Sequence, residues 1–184
     1  MLRVGVTEQH IKDAQDYVDK YNTANRGEYD GDKFRQFIGR LGEVVICGCL
    51  GVPTNDKQGF DNGVDATVGT LIIDIKTKAR NYYIKPWYVW NVPLSQLESE
   101  RYLNNTYMFA SYVQKNNILE IAGFITKSLY KSRALYIPAN AYRQRSDGTK
   151  FNYPVAQTEV TQPCLFDITN WDDVLLQQYH LIKE

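Results

Sequence analysis

One stretch of the chain, LIIDIKTKA at residues 71–79, places charged side chains inside the pattern of a buried strand. Its Leu, Ile and Thr residues favour extended backbone. Together with GVDATV at residues 63–68 and a turn at Gly69-Thr70, they predict an antiparallel hairpin. Alternate side chains of a strand point to opposite faces, so Asp74 and Lys76 share a face. Because aliphatic residues occupy both faces, these two charges are costly unless they are paired or bind a metal ion.

An acidic residue of the first strand, Asp65, is predicted to face Asp74 across this hairpin. Two carboxylates at opposite positions repel each other, and a divalent cation between them removes the repulsion. Mg²⁺ binds one or two carboxylates together with waters and substrate phosphates. Two plainer interpretations stay open: Asp65 as a residue of the turn or strand end, and Asp74 with Lys76 as an ordinary ion pair. Asp61, in the same loop, is interpreted as structural.

A third carboxylate, Glu43, lies in a predicted helix from Asp32 to about Leu50. The apolar residues of this segment, beginning at Phe34, follow helical spacing. At 100° per residue Glu43 lies about 180° from Phe34, on a second and largely apolar face. The position predicts a covered carboxylate. The alternative is a surface glutamate paired with Arg40 or Lys33.

The remaining pattern predicts one α/β domain over residues 1–184, with a central mixed sheet flanked by helices. An N-terminal helix is expected at 7–24, a third strand of the hairpin within 82–92, and a short helix at about 93–102 with Ser95 as its N-cap. Two strands follow at 106–114 and 117–128, then a mixed tail with a short strand in CLFDI and a last helix capped by Asn170. The predicted order is α-α-β-β-β-α-β-β plus the tail.

Glu43 in a helix, followed by GVDATVGTLIIDIKTKA, resembles the PD-(D/E)XK, or restriction-endonuclease-like, nucleases. That family carries an acidic residue in a helix, an Asp at the end of one strand and a (D/E)-x-K triplet in the next. The resemblance covers about residues 31–127 and leaves 128–184 as a C-terminal extension. This sequence departs from the pattern at Val64, where the family has Pro. It also lacks the Gln-x-x-x-Tyr signature of the RecB-like and exonuclease branch, since Glu100 stands four residues after Gln96.

The resemblance implies a fold, a reaction and a set of site residues. The fold is the restriction-endonuclease-like core, and the reaction is hydrolysis of a phosphodiester bond with one or two Mg²⁺ or Mn²⁺ ions. Asp65, Asp74 and the Ile75 carbonyl would hold metal, and Glu43 would contact a second ion or a water. Lys76 would position and help deprotonate the attacking water, or stabilise the charge of the transition state.

The charges along the chain are segregated although the 21 basic and 21 acidic residues cancel. Two basic segments, 76–92 and 127–150, contain one acid between them, and the C-terminal end is acidic. Aromatic residues lie beside the first segment, which suits phosphate contact with base stacking, although most aromatics are packing residues. The expected nucleic-acid contacts are Lys78, Arg80, Lys85, Lys127, Lys131, Arg133, Arg143 and Arg145.

Other function classes find little support in the sequence. Phosphate-loop, dinucleotide-binding, nucleophile-elbow and zinc-protease motifs are absent, so no nucleotide cofactor is expected. Three cysteines and two histidines do not have zinc-site spacing. The N-terminal segment lacks the apolar core of a signal peptide, and no run approaches 18 apolar residues, so a cytoplasmic protein without a membrane span is expected.

These observations predict a Mg²⁺-dependent deoxyribonuclease, most simply an endonuclease, acting on double-stranded or branched DNA. Cutting of both strands would favour a homodimer. Three alternatives remain open at this stage. The chain could be a non-catalytic nucleic-acid-binding or assembly protein on the same fold, a ribonuclease using the same site, or a structural α/β domain in which the Asp-x-Lys triplet is incidental.

Overall fold

A computed structural model of the chain describes residues 1–21, 32–56, 61–144 and 148–168. Over these ranges the protein is a mixed α+β fold with four α-helices and ten strands. The helices are α1 (Glu8–Tyr21), α2 (Lys33–Leu50), α3 (Leu94–Glu98) and α4 (Lys127–Arg133). The strands are β1 (Leu2–Gly5), β2 (Ala66–Val68), β3 (Leu71–Arg80), β4 (Val89–Pro93), β5 (Thr106–Val113), β6 (Ile118–Thr126), β7 (Leu135–Ile137), β8 (Tyr142–Gln144), β9 (Lys150–Asn152) and β10 (Gln157–Thr161).

The central sheet has five strands in the order β1-β6-β5-β3-β2. Strands β3 and β5 run parallel, whereas the other neighbours are antiparallel, so the sheet is mixed as predicted. The hairpin of β2 and β3 is confirmed, with Ala66 opposite Ile73 and Val68 opposite Leu71. Because β2 is short, it covers only the start of the ten-residue strand β3.

Each face of this sheet packs against a different layer. On one face lies a core that includes Leu41, Val45 and Ile46 of α2 together with Ile73 and Ile75 of β3. On the other face lies a second core formed with a three-stranded sheet in the order β4-β10-β7. The molecule is therefore layered as helices, central sheet and small sheet.

Helix α2 begins and ends where its sequence predicts. The Asp32 side chain accepts a hydrogen bond from the Arg35 N–H at 2.8 Å, which caps the first turn. Gly51 ends the helix with φ of 67°, a left-handed conformation that glycine adopts without steric cost. Helix α1 is also confirmed to Tyr21, and the rest of its predicted range, 22–24, lies outside the described residues.

The segment predicted as the third strand of the hairpin does form a strand, β4, but its predicted pairing is wrong. Strand β4 pairs with β10, not with β3, because Trp90 and Val92 point into the second core and stack this strand against the sheet face. The predicted order is corrected accordingly: a strand, β1, precedes the first helix, and α4 and further strands follow β6. The predicted extension from residue 128 also supplies β7 and β10, so it belongs to the small sheet rather than forming a separate tail.

Two smaller predictions in the second half of the chain also need correction. Helix α3 is shorter than expected and begins after Pro93, with no side-chain cap from Ser95. In place of a CLFDI strand there is a 3-10 helix at Gln162–Cys164 and a single bridge between Phe124 and Phe166. The predicted last helix and its cap Asn170 lie outside the described residues. No helix within the described ranges combines the length and the apolar composition needed to cross a membrane.

Candidate functional site

The hairpin places the two predicted metal-binding aspartates side by side. The Asp65 N–H donates to the Ile73 carbonyl at 2.9 Å, which continues the ladder and sets Asp65 opposite Asp74. The Asp65 side chain accepts a hydrogen bond from the Ile75 N–H at 2.6 Å and lies within hydrogen-bonding reach of Asp74. Both residues are buried, with Asp65 6% and Asp74 2% exposed.

The Asp74 carboxylate is satisfied on one oxygen only. Its Oδ1 atom lies 2.8 Å from the Lys76 ammonium, which is an ion pair along one face of β3. Its Oδ2 atom is buried and has no hydrogen-bond partner among the described residues. Buried polar atoms are nearly always bonded, so this oxygen is left either to a proton shared with the neighbouring Asp65 carboxyl or to a bound ligand.

Helix α2 brings Glu43 to the hairpin through a close helix–strand contact. A Cβ atom built on Gly42 would lie 1.8 Å from Oγ1 and 2.8 Å from Cβ of Thr77, so only glycine permits this approach. Glu43 follows directly, and its charge acts on both Asp65 and Asp74. The outcome lies between the two interpretations: the Glu43 side chain is half-buried, at 22% exposure, and it pairs with Arg40 as the alternative predicts.

Arg40, one turn before Glu43, holds that carboxylate in place. Its guanidinium lies 3.0 Å from Glu43, donates to the Asn55 carbonyl at 3.0 Å and pairs with Asp56. It also stacks on the Tyr17 ring, 3.9 Å from the centroid. Arg40 is 6% exposed, and a buried cation with so many fixed partners restricts the position of Glu43.

A tight loop before β2, containing Asp61 and Gly63, lies against the site, and the sequence predicts only part of its role. Asp61 accepts a hydrogen bond from the Gly63 N–H at 2.8 Å, and Gly63 has φ of 69°. A Cβ atom on Gly63 would lie 2.9 Å from the Tyr102 ring and 3.6 Å from Asp74 Oδ2. Asp61 does have the structural role assigned from the sequence, but its charge also acts on Glu43, Asp65 and Asp74.

The three central carboxyl groups are all biased toward their protonated form. Burial raises the pKa of Asp65 well above its ordinary value, and the charges of Glu43 and Asp74 add to the effect. Burial also raises the pKa of Asp74 and of Glu43, although Lys76 and Arg40 respectively oppose the shift. A cluster of this kind carries more negative charge than its own cations offset.

Lys76 is held in its charged form. Burial disfavours the ammonium, but the charges of Asp74 and Asp65 and the hydrogen bond to Asp74 outweigh it, so the pKa of Lys76 is raised. Its side chain keeps 28% exposure and therefore reaches solvent from the buried carboxylates. A lysine in this state acts as a fixed positive charge.

Among the predicted phosphate-contacting residues that the structure describes, Lys127 interacts electrostatically with the carboxylate cluster through Asp74. Its ammonium donates to the Tyr102 carbonyl at 2.9 Å and to the Asn104 side chain at 3.4 Å. Burial lowers the pKa of Lys127, Lys131 adds to the shift and Asp74 partly offsets it. Lys127 thus stands at the edge of the site, at the start of α4.

The other predicted contacts fall into three groups. Lys85, Lys131 and Arg133 are exposed, whereas Lys78 and Arg80 are half-buried beside β4. Arg143 pairs with the buried Glu159, so a phosphate at this residue would compete with that ion pair. Arg145 lies outside the described residues. Among the aromatics of the first basic segment, Tyr82 and Trp87 are exposed, but Trp90 is fully buried and belongs to the core.

The donor set suits a hard divalent cation held by few protein ligands. Within the described ranges no three Asp, Glu, His or Cys side chains already converge on one point. Mg²⁺ does not require such a cage, because waters and substrate phosphate complete its shell. The unpartnered Asp74 Oδ2 beside Asp65 matches this need, with Glu43 as a further acidic group.

Comparison of the chain with models of protein families, with curated proteins and with solved structures finds no match.

Proposed function

We propose that this chain is a Mg²⁺- or Mn²⁺-dependent nuclease that hydrolyses phosphodiester bonds of DNA, acting as an endonuclease. The observation that carries the proposal is the buried pair Asp65 and Asp74, with an unpartnered oxygen, beside a lysine kept positive. Metal-assisted phosphoryl chemistry needs two things: carboxylate oxygens that bind the metal ion, and a nearby cation that stabilises the charge on the phosphate.

The proposal includes the restriction-endonuclease-like core. The order α2, β2, β3, α3, β5 supports it, because the helix with Glu43 precedes the hairpin and a helix precedes the next central strand. One strand of the expected core is missing: the predicted third strand of the hairpin, β4, lies in the small sheet. The resemblance therefore rests on the acidic helix, the hairpin and the Asp74-Ile75-Lys76 triplet.

The residues divide the work of hydrolysis among them. A bound Mg²⁺ or Mn²⁺ ion would supply Lewis acidity toward a phosphoryl oxygen and toward the attacking water. Asp65 and Asp74 would bind the ion, and Glu43 would orient a water. The water oxygen would form a bond to phosphorus as one P–O ester bond breaks; the water proton would pass to solvent, and the leaving oxygen would take up a proton from solvent. Lys76 stabilises the charge that develops on the phosphoryl oxygens, which suits its raised pKa better than proton abstraction.

The test is cleavage of plasmid and linear DNA by the full chain with Mg²⁺ or Mn²⁺. We expect cleavage that EDTA stops, and a loss of at least about 100-fold for Asp74→Asn and for Lys76→Gln, since each removes charge from the reacting centre. Glu98→Gln and Lys115→Gln, matched changes at exposed positions, keep full activity.

Three results would count against parts of this proposal. Cleavage that persists in EDTA or in both site variants contradicts the site. DNA binding without cleavage under any metal favours the non-catalytic alternative. Cleavage of RNA but not DNA by the same site favours the ribonuclease alternative.

A further inference from the structure

A second group of positive side chains lies further along the same face of β3. Lys78 and Arg80 follow Lys76 at alternate positions, so the three form a row with a spacing of roughly 6.7 Å. Strand β2 covers only Leu71–Ile73 on that side of β3. Both side chains therefore lie beside the part of β3 that β2 leaves uncovered, next to β4 of the small sheet.

Neutral groups hold both cations. The Lys78 ammonium donates to the Asn91 side-chain oxygen and to the Val89 carbonyl. Arg80 stacks on the Tyr88 ring, with its guanidinium carbon 4.1 Å from the centroid, and lies over Trp90 at 5.4 Å. Within the described ranges neither cation has a salt bridge, and Arg80 Nε is buried without a hydrogen-bond partner.

The nearest acidic group does not neutralise this pair. Glu159 is buried and already binds Arg143 and the Tyr153 hydroxyl, so its charge is shared elsewhere. Burial, together with the neighbouring Arg80, lowers the pKa of Lys78 to about 7, and Glu159 only partly offsets this. Burial also lowers the pKa of Arg80, against smaller opposing effects from Tyr88 and Tyr153. Two adjacent half-buried cations without a counter-ion are costly, and an anion between them removes the cost.

We propose that Lys78 and Arg80 form a phosphate-binding site, separate from the carboxylates, that holds a backbone phosphate flanking the one being cleaved. The assignment of this phosphate to a nucleic-acid strand rests on the proposed function. The strand then runs along β3 from Asp74 toward Arg80. Lys76 serves the reacting phosphate and the Lys78–Arg80 site serves its neighbour, while the Asn91 amide and the Tyr88 ring fix the two cations.

The first measurement is DNA binding by the inactive Asp74→Asn chain, with and without Lys78→Met, over a range of salt concentrations. Losing one phosphate contact weakens binding roughly tenfold at 0.1 M salt and reduces the slope of log K against log salt by about 0.7–0.9. Lys78→Arg, which keeps the charge, retains the slope, and so does Lys115→Met, the same replacement at an exposed lysine.

The second measurement needs no variant at this site. Inorganic phosphate is titrated into the ¹⁵N-labelled wild-type chain, and we expect saturable shifts of the Asn91 side-chain amide. Unmoved Asn91 signals, or an unchanged salt slope in Lys78→Met, overturn the inference.

Failure of the inference differs from failure of the proposed function. Cleavage by the wild-type chain with an unchanged slope in Lys78→Met overturns the flanking site alone. No cleavage under any metal, with Asn91 shifts and a reduced slope, overturns the nuclease and supports the phosphate site.

Discussion

Asp65 shows most clearly how the candidate site conflicts with folding stability. Its carboxyl group is buried next to Asp74 and feels the charge of Glu43, and its local donor is the Ile75 N–H. Negative charge is concentrated at buried positions, where desolvation makes it most unfavourable. This arrangement is typical of sites that bind a ligand rather than of residues that stabilise the fold. This electrostatic destabilisation applies to the protein without a bound metal ion.

We therefore expect Asp65→Asn to raise the free energy of unfolding in EDTA by about 1–2 kcal/mol at pH 8. Asn keeps the acceptor for Ile75 but carries no charge. The folded pKa of Asp65 is raised, so the wild-type chain loses stability as pH increases from the unfolded value of about 3.9 toward the folded value. The advantage of the variant should grow over that window. Denaturant unfolding at pH 5 and pH 8 measures it.

Asp13→Asn provides the matched control, because Asp13 is exposed on α1. It should show little change at either pH. A less stable Asp65→Asn chain at pH 8 would show that the Asp65 charge is stabilising, contrary to this account.

At this scale the sequence predicts the two aspartates and Lys76 well, because strand alternation alone sets which side chains meet. From the helical angle it predicts a covered Glu43, whereas the side chain is half-buried, at 22% exposure. It does not predict the many partners of Arg40 or the charge contributed by Asp61. Those depend on where the loops at residues 52–56 and 61–65 close against α2, and local pattern carries no signal for such contacts.

Among the elements, the crossing of α2 over β3 governs the site. Gly42 lets the helix backbone approach Thr77, and this contact sets the distance from Glu43 to the hairpin. Rotation of the Thr77 side chain can move Oγ1 but leaves its Cβ, 2.8 Å from the added atom, in place, so the overlap is not fully relieved. The helix must move.

We expect Gly42→Ala to destabilise the chain by about 1–2 kcal/mol, since overpacking outweighs the better helix propensity of alanine. Activity should fall more than stability, because Glu43 shifts with the helix. Thermal unfolding and the cleavage assay measure the two effects separately.

Gly39→Ala in the same helix is the control. A Cβ atom at Gly39 meets nothing within 4 Å, so this change should stabilise by about 0.5–1 kcal/mol. Equal effects at both glycines would contradict the assigned role of the Gly42 contact.

The sequence predicts α1, α2 and the β2–β3 hairpin because their signals are local: caps, periodicity and turn residues, whereas α4 is not predicted and α3 is shorter than predicted. Strand β4 was predicted as a strand but assigned to the wrong sheet. Its partner, β10, comes much later in the chain, and the choice depends on burying Trp90 and Val92 in a core that both sheets share. Sequence periodicity describes which side of a strand is apolar, not which layer covers it.

Across the whole molecule, a metal ion that relieves the carboxylate cluster should stabilise the fold. We expect Mg²⁺ at about a hundred times its dissociation constant to add about 2.7 kcal/mol. For a chain of this size that corresponds to a rise of roughly 5–10 °C in Tm. Thermal unfolding with and without Mg²⁺ measures it independently of cleavage.

Asp74→Asn should remove most of this rise, whereas Glu98→Gln should keep it. If the Tm of the wild-type chain does not change with Mg²⁺ or Mn²⁺, the proposed metal dependence is contradicted.

The pairing of β4 with β10 also sets an order of events during synthesis. When β4 leaves the ribosome, its partner has not yet been made, and the segment from α3 to β9 must follow first. The Asp65–Asp74 hairpin is local and can close early, but the wall that fixes Lys78 through Asn91 waits for β10. A nascent chain therefore brings Asp65 and Asp74 together before Asn91 is fixed beside Lys78, so the proposed phosphate site is complete only after β10 has been made.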